Sequence, residues 1–225
     1  FPFGLAGAAW ATALSQVVGG ILPLIYFARP NDSLLHLGPA SFDGFALWRT
    51  CTNGVSELVS NISMSLVGLL FNVQLMAYAG ENGVAAYGVI MYIDFIFLAG
   101  FIGYAMGTAP VISYHFGAEN HAELKSLLRK SLIILLISSV GMFVFAEAAA
   151  RPLALIFASY DPTLLDITIH GFRIYSISFL FVGFTIFGSS FFTALNNGLV
   201  SAIISFVRTM IFEVVLVLAL PVLWD

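Results

Sequence analysis

The sequence predicts an all-α membrane protein that crosses the bilayer several times. Hydrophobic residues make up 60% of its 225 residues and charged residues only 9%, and the mean hydropathy is +1.00. The apolar residues fall into stretches of about 20 residues, which matches the ~30 Å hydrocarbon core of a bilayer. Almost every charge lies between these stretches. The pattern indicates a polytopic membrane protein and excludes a soluble domain.

Each stretch is predicted to cross as a helix. Inside lipid every backbone N–H and C=O needs a partner within the protein, so a span is either a helix or part of a closed barrel. Barrel strands alternate apolar and polar residues, whereas the run Leu132–Ile137 is apolar throughout. The six predicted spans are roughly Gly4–Phe27, Gly54–Ala77, Ala86–Ile112, Ser131–Ala150, His170–Leu195 and Leu199–Val222.

Several classes of site are not expected. Cys51 is the only cysteine, so no intramolecular disulfide can form. The four histidines are scattered and match no usual metal-ligand spacing. The sequence has no nucleophile motif, phosphate-binding loop or basic-aromatic nucleic-acid patch. We therefore expect no enzyme, metal, cofactor or nucleic-acid partner. Since spans adjoin both Phe1 and Asp225, we expect a piece of a longer protein.

The basic residues predict the orientation of the spans. The links after the first and third spans carry five of them, Arg29, Arg49, Lys125, Arg129 and Lys130. The links on the opposite side carry only Arg151. Lys and Arg accumulate in cytoplasmic links. We therefore place the first two links in the cytoplasm, with the first span running inward.

A polar stripe on the second span predicts a cavity site. It consists of Asn53, Glu57, Asn61, Ser65, Gly68 and Asn72. Spacings of three and four residues place them on one helical face, and a face this polar does not suit lipid. Glu57 either reaches the cytoplasmic interface or is a proton- or cation-binding carboxylate beside Asn61 and Ser65, since ionisable groups inside spans are functional candidates.

Two further spans carry candidates for the same cavity. Asp94 lies about two turns into the third span and is either an interfacial or a cavity residue. The fifth span has a second stripe, Tyr175, Ser178, Val182, Thr185, Ser189 and Thr193. Its hydroxyls either bond across helices or form a cavity wall.

Four other charges are predicted to be structural. Arg208 and Glu213, five residues apart in the sixth span, are expected to form an ion pair, although that spacing is not ideal in an α-helix. Glu147 and Arg151, four residues apart, are expected to pair at the membrane interface.

Two segments resemble one transporter family. The first runs from Gly103 through Pro110 to Gly117-Ala118-Glu119-Asn120 and is followed by Lys125, Arg129 and Lys130. The second contains Arg173-Ile174-Tyr175 and Phe191-Phe192-Thr193-Ala194-Leu195-Asn196-Asn197. Both are similar to the MATE (multidrug and toxic compound extrusion) transporters, with the bacterial MepA-like subgroup as the best placement.

This resemblance implies a twelve-helix, two-lobe transporter of which the chain supplies about spans six to eleven. Residues 1–27 would be the last helix of the first lobe, 28–53 the cytoplasmic lobe connector and 54–225 the second-lobe helices. Glu57 falls where many members carry a cation-binding acid. Some members also carry an Asp near the end of the tenth span, where this sequence has Asn196-Asn197.

The implied function is multidrug efflux. The resemblance implies a monomeric antiporter of the plasma (inner) membrane that exports drug-like amphipathic or cationic compounds in exchange for H⁺ or Na⁺. A lipid-linked oligosaccharide flippase of the same superfamily would need a strongly basic cavity to hold a pyrophosphate, whereas the spans here carry more acids than bases. A membrane-embedded enzyme would need convergent catalytic groups, and none are evident.

The orientation is tested by cysteine accessibility. In a Cys51→Ser background, single cysteines at Ser33 and Ala122 are expected to be shielded from impermeant thiol reagents in intact cells, because both links are predicted to be cytoplasmic. Permeabilised cells supply the labelling control. Labelling at both positions from outside would contradict the orientation.

Overall fold

The protein is a set of long helices, as the hydropathy pattern predicts. A computed structural model describes residues 4–29 and 41–224, and within these residues it contains no strand. The helices are α1 (Gly4–Ala28), α2 (Gly44–Gly117), α3 (His121–Ala158), α4 (Pro162–Ser176), α5 (Phe179–Ala194), α6 (Gly198–Phe206), a π-helical segment (Val207–Glu213) and α7 (Val214–Trp224). The predicted all-α membrane fold is confirmed.

The chain divides into two compact units, Phe1–Gly44 and Phe45–Asp225. The first unit contains α1, whose described side chains are almost all exposed. The second unit contains the other helices. Residues 30–40 of the predicted connector lie outside the described residues. The helix α2 begins at Gly44, ten residues before the predicted second span.

The helix α2 has two arms that meet at Gly80. The φ and ψ angles there are 64° and −159°, a region that is open almost only to glycine. Residues 44–79 form the first arm and residues 81–117 the second arm. The predicted loop between the second and third spans is therefore a sharp joint within a nearly continuous helix.

The second arm of α2 lies at the centre of the larger unit. Its Phe97 ring stacks on Phe179 of α5, with ring centroids 4.8 Å apart, and meets Phe172 of α4 edge-on at 6.2 Å. Further along the arm, Phe101 packs with Phe187 of α5 in a second buried cluster. The apolar face of this arm therefore packs against α4 and α5 and fixes their positions.

Small side chains allow α3 to approach this core closely. Ala146, Ala150, Ala154 and Ala158 recur every four residues and are all 0% exposed. Residues at this spacing share one helical face, and small residues permit close contact between membrane helices. The C-terminal half of α3 therefore packs closely against its neighbouring helices.

Side-chain caps fix where three helices begin. Asn120 accepts the Glu123 N–H at 3.1 Å and starts α3. Asp161 accepts the N–H groups of Thr163 at 2.8 Å and Leu164 at 3.3 Å, and Pro162 follows it at the first helical position, where a missing N–H costs nothing. Asn197 caps α6 in the same way.

The helices match the six predicted spans. Four helical segments are long and apolar enough to cross a bilayer, and α4 and α5, bent by 54°, make a further one. One of the four is α2, whose 74 residues break at Gly80 into two arms of crossing length. The fifth predicted span is therefore broken, and the sixth contains the π-helical segment.

A glycine on α5 tests the packing against α2. A Cβ at Gly183 would lie 2.5 Å from the ring of the buried Phe101, whereas a Cβ at Gly188 would meet nothing within 4 Å. We expect Gly183→Ala to destabilise the full-length protein by about 1–3 kcal/mol, because the ring has nowhere to move. The measurement is the thermal midpoint in detergent.

The matched control is Gly188→Ala in the same helix. It is expected to leave the midpoint unchanged or raise it slightly, since alanine lowers the entropy cost of helix formation. Equal midpoints for the two variants would contradict the contact between α5 and Phe101.

Candidate functional site

Two of the predicted cavity residues meet in the interior of the larger unit. Asp94, on the second arm of α2, is only 7% exposed, and the side chain of Tyr175 in α4 lies beside its carboxyl group. One carboxyl oxygen, Oδ1, is buried without a hydrogen-bond partner in the described part of the chain. A buried carboxylate with one open oxygen is suited to bind a proton or a small cation.

The bend between α4 and α5 sets the position of Tyr175. The Ser176 hydroxyl bonds back to the Arg173 carbonyl at 2.7 Å, and serine back-bonding of this kind bends helices. The Tyr175 ring then packs edge-on against Phe179, with centroids 5.9 Å apart. Because that ring is anchored on the core, the hydroxyl is held toward Asp94.

A second acidic group lies in electrostatic contact with this pair. Tyr87, on the second arm of α2, is within electrostatic range of both Asp94 and Glu213. Its ring stacks on Phe71 of the first arm, with centroids 5.2 Å apart and planes inclined by 13°. Tyr87 therefore joins the Asp94 pair to the surface around Phe71 and Glu213.

The π-helical segment explains how Arg208 and Glu213 interact. In an α-helix, residues five apart point in different directions, whereas a π-helix bonds residue i to i+5 and brings them to one side. The Arg208 charge acts on Glu213 across this segment. The predicted ion pair is not formed within 4.0 Å in the described residues, and the two charges act on each other only over a longer distance.

The stripe on the first arm is exposed. Glu57, Asn61 and Ser65 all lie at the surface of the unit. The Asn61 side chain donates to the Glu57 carbonyl at 2.8 Å, and the Ser65 hydroxyl donates to the Asn61 carbonyl at 3.0 Å. The amide and hydroxyl are thus satisfied by their own helix, and the structure does not bring Glu57 to Asp94.

The second stripe divides into two parts. Tyr175 reaches Asp94, and Ser178 is half-buried at the start of α5. Farther along, Ser189 lies 2.7 Å from the buried Ser201 of α6, and Thr193 bonds the same hydroxyl at 3.0 Å. The far end of the stripe therefore joins helices, and only its beginning contributes to the candidate site.

One predicted ion pair is replaced by another. Glu147 does not pair with Arg151. Its Oε1 atom accepts the Ser176 hydroxyl at 2.6 Å, and its Oε2 atom lies 3.9 Å from Arg173 Nε. The prediction was wrong because α4 presents a hydroxyl and a guanidinium directly to this face of α3.

Tyr87 was not predicted as part of the site, and Glu213 was predicted to be a structural ion. The weak signal for Tyr87 was its spacing of seven residues from Asp94, which places both on one helical face. Among residues 4–29 and 41–224, no group of three or more His, Cys, Asp or Glu side chains is arranged to hold a metal ion.

Comparisons with curated proteins find bacterial exporters. The chain is 25% identical over 197 residues to the multidrug export protein MepA of Staphylococcus saprophyticus subsp. saprophyticus, and 24% identical over 200 residues to MepA of Staphylococcus haemolyticus. These alignments cover 81% and 80% of this chain and 42% of each relative. The chain thus spans less than half the length of these relatives.

Solved structures share the fold. A MATE protein in complex with MaL6 matches with a TM-score of 0.88 and 23% identity, over 96% of this chain and 50% of the other. An outward-facing multidrug resistance MATE family transporter matches with a TM-score of 0.85 and 23% identity, over 97% of this chain and 50% of the other. At this identity the likeness establishes the fold alone.

A third structure is a MOP superfamily transporter from Pyrococcus furiosus, which matches with a TM-score of 0.86 and 23% identity, over 96% of this chain and 50% of the other. It is described as having a binding pocket of reverse polarity that suggests a different function. The shared fold therefore does not determine the polarity of the binding pocket.

The family itself is decided by sequence. The apolar helices and the bacterial relatives indicate a multi-pass plasma-membrane protein. The model of the MatE family matches residues 58–218, which include both arms of α2 and every later helix as far as α7. Because this match covers well over half of the chain, the protein belongs to the MatE family.

Proposed function

We propose that the chain is part of a multidrug efflux antiporter that exports amphipathic, often cationic, compounds in exchange for H⁺ or Na⁺. The observation that carries the proposal is Asp94, a buried carboxylate with one unpartnered oxygen and Tyr175 beside it, inside a membrane-spanning helix. Ionisable groups at such positions are costly and mark ion pathways. The export named for the MepA relatives agrees with this chemistry.

The coupling follows from charge. When Asp94 is empty and ionised, its negative charge favours a bound organic cation. When H⁺ or Na⁺ occupies the carboxylate, that attraction is lost and the drug is released. A ligand shifts a two-state transporter only through its different affinity for the two states, so mutual exclusion of ion and drug links the two movements.

The lobe assignment is part of the same proposal. Residues 1–27 form the last helix of the first lobe, residues 28–53 connect the lobes, and residues 54–225 belong to the second lobe. The exposed stripe of Glu57, Asn61 and Ser65 then faces the central cavity between lobes, where water can solvate it. The protein works as a monomer, and the lobes alternately open the cavity to each side.

The flippase alternative is less favoured by the site. A pocket for a pyrophosphate needs converging Arg or Lys side chains. Here the interior pair is Asp94 and Tyr175, and no basic group is among the charges that act on either residue in the described part of the chain. The polarity of the site therefore supports a cationic substrate.

Asp94→Asn in the full-length protein tests the role of the buried acid. We expect loss of coupled export of a fluorescent amphipathic cation, such as ethidium, by about tenfold or more, because the amide cannot hold H⁺ or Na⁺ by charge. The measurement is efflux from proteoliposomes under an imposed proton or sodium gradient. Asp166→Asn, an exposed acid on α4, is the matched control.

Efflux measured under the proton gradient and under the sodium gradient identifies the coupling ion.

The variant Tyr175→Phe keeps the ring and removes the hydroxyl, so it should weaken export less than Asp94→Asn does. Wild-type efflux in Asp94→Asn under both gradients would refute the assignment of the coupling site.

Glu57→Gln tests the exposed stripe separately. If this face lines the central cavity, neutralising the acid should impair export of cationic drugs while export of neutral compounds and membrane insertion stay normal. Export assays with one cationic and one neutral substrate provide the measurement. Equal export of the cation by mutant and wild type would remove Glu57 from the substrate path.

A further inference from the structure

A groove outside the Asp94 pair opens between the first arm of α2 and α7. Phe71, Gln74, Leu75 and Tyr78 line one side, and Glu213 and Leu216 begin the other. The volume of the groove is about 560 Å³.

The size of the groove suits a small molecule. Ligand pockets commonly have volumes of about 300–1,000 Å³. The lining stretch on the first arm, residues 71–78, rises only about 12 Å along the helix. Another membrane helix would need a seam along most of the ~30 Å hydrocarbon core, so the short groove fits a compact organic ligand better than a helix.

The chemistry of the lining selects the charge of that ligand. Apart from Glu213 and Gln74, the named lining side chains are aliphatic or aromatic. An aliphatic surface favours an apolar body, a carboxylate favours a positive centre, and the rings of Phe71 and Tyr78 can add cation–π attraction. Arg208 opposes Glu213 from within the π-helical segment but does not line the groove.

We propose that this groove, with Glu213 as its charged group, is a binding site for a lipophilic organic cation, separate from the coupling-ion site at Asp94. The inference rests on the proposed function and adds a second acid with its own ligand. Tyr87 connects the two sites, because its ring stacks on Phe71 of the groove and its hydroxyl is within electrostatic range of Asp94 and Glu213. Ion and drug then influence each other through electrostatics without sharing one carboxylate.

Paired charge variants with opposite expected signs test the proposal. The probe is tetraphenylphosphonium, a permanently charged lipophilic cation, bound to the detergent-solubilised full-length protein in equilibrium dialysis. Glu213→Gln is expected to weaken binding about tenfold, because the attractive charge is lost. Arg208→Gln is expected to strengthen it by a few fold, since Glu213 is then unopposed. Asp166→Asn should leave the affinity unchanged.

A steric pair tests the location. Leu216 lines the groove, whereas Leu218 lies on the same helix outside it. Leu216→Trp should fill the space and weaken binding strongly, and Leu218→Trp should not. These variants also check that a loss in Glu213→Gln is not a folding defect, because each adds apolar volume and leaves every charge in place.

Unchanged affinity in both Glu213→Gln and Leu216→Trp would overturn the inference, because a lipid chain or another helix would then occupy the groove. Weakened binding in Arg208→Gln would also count against it. A different result would refute the proposed function: wild-type proteoliposomes would not export tetraphenylphosphonium under either ion gradient. Wild-type export together with unchanged binding in the groove variants would refute the groove alone.

Discussion

The contact between Asp94 and Tyr175 is the interaction on which the site depends. A carboxyl group in the interior of a membrane bundle is costly unless polar neighbours compensate the loss of water. Tyr175 is held in position by the bend of α4 at Ser176 and by the packing of its ring against Phe179. Phe179 in turn stacks on Phe97, three residues after Asp94 on the same helix. The same aromatic contacts therefore stabilise the core and set the geometry of the site.

The two acids differ in what surrounds them. Asp94 is enclosed, and one of its carboxyl oxygens is buried without a partner in the described residues. Glu213 stands at an apolar groove of about 560 Å³. We propose that the enclosed acid takes the coupling ion and that the acid at the groove takes the organic cation. The rings of Tyr87 and Phe71 are the physical link between them.

The spans could be predicted from sequence because hydropathy is a local property of each segment. The starts of α3 and α4 are likewise fixed by local capping, at Asn120 and Asp161. The bend after Ser176 and the π-helical segment were not predicted, since neither interrupts the apolar run. At Gly80 the sequence predicted a loop, and the structure has a sharp joint. Asp94 and Tyr175 were both candidates, but their contact depends on how α4 packs against α2. Glu147 shows the converse error, because its nearest partner in the sequence is not its nearest in space.

The joint at Gly80 has a mechanical consequence. The two arms of α2 are coupled by helical backbone and by the Phe71–Tyr87 stack on either side of the joint, with no slack loop between them. A tilt of the first arm is therefore transmitted to the ring of Tyr87 on the second arm. Inserting flexible residues at Gly80 would uncouple the two arms of α2. Each arm could keep its fold, but motion of one arm would no longer be transmitted to the other.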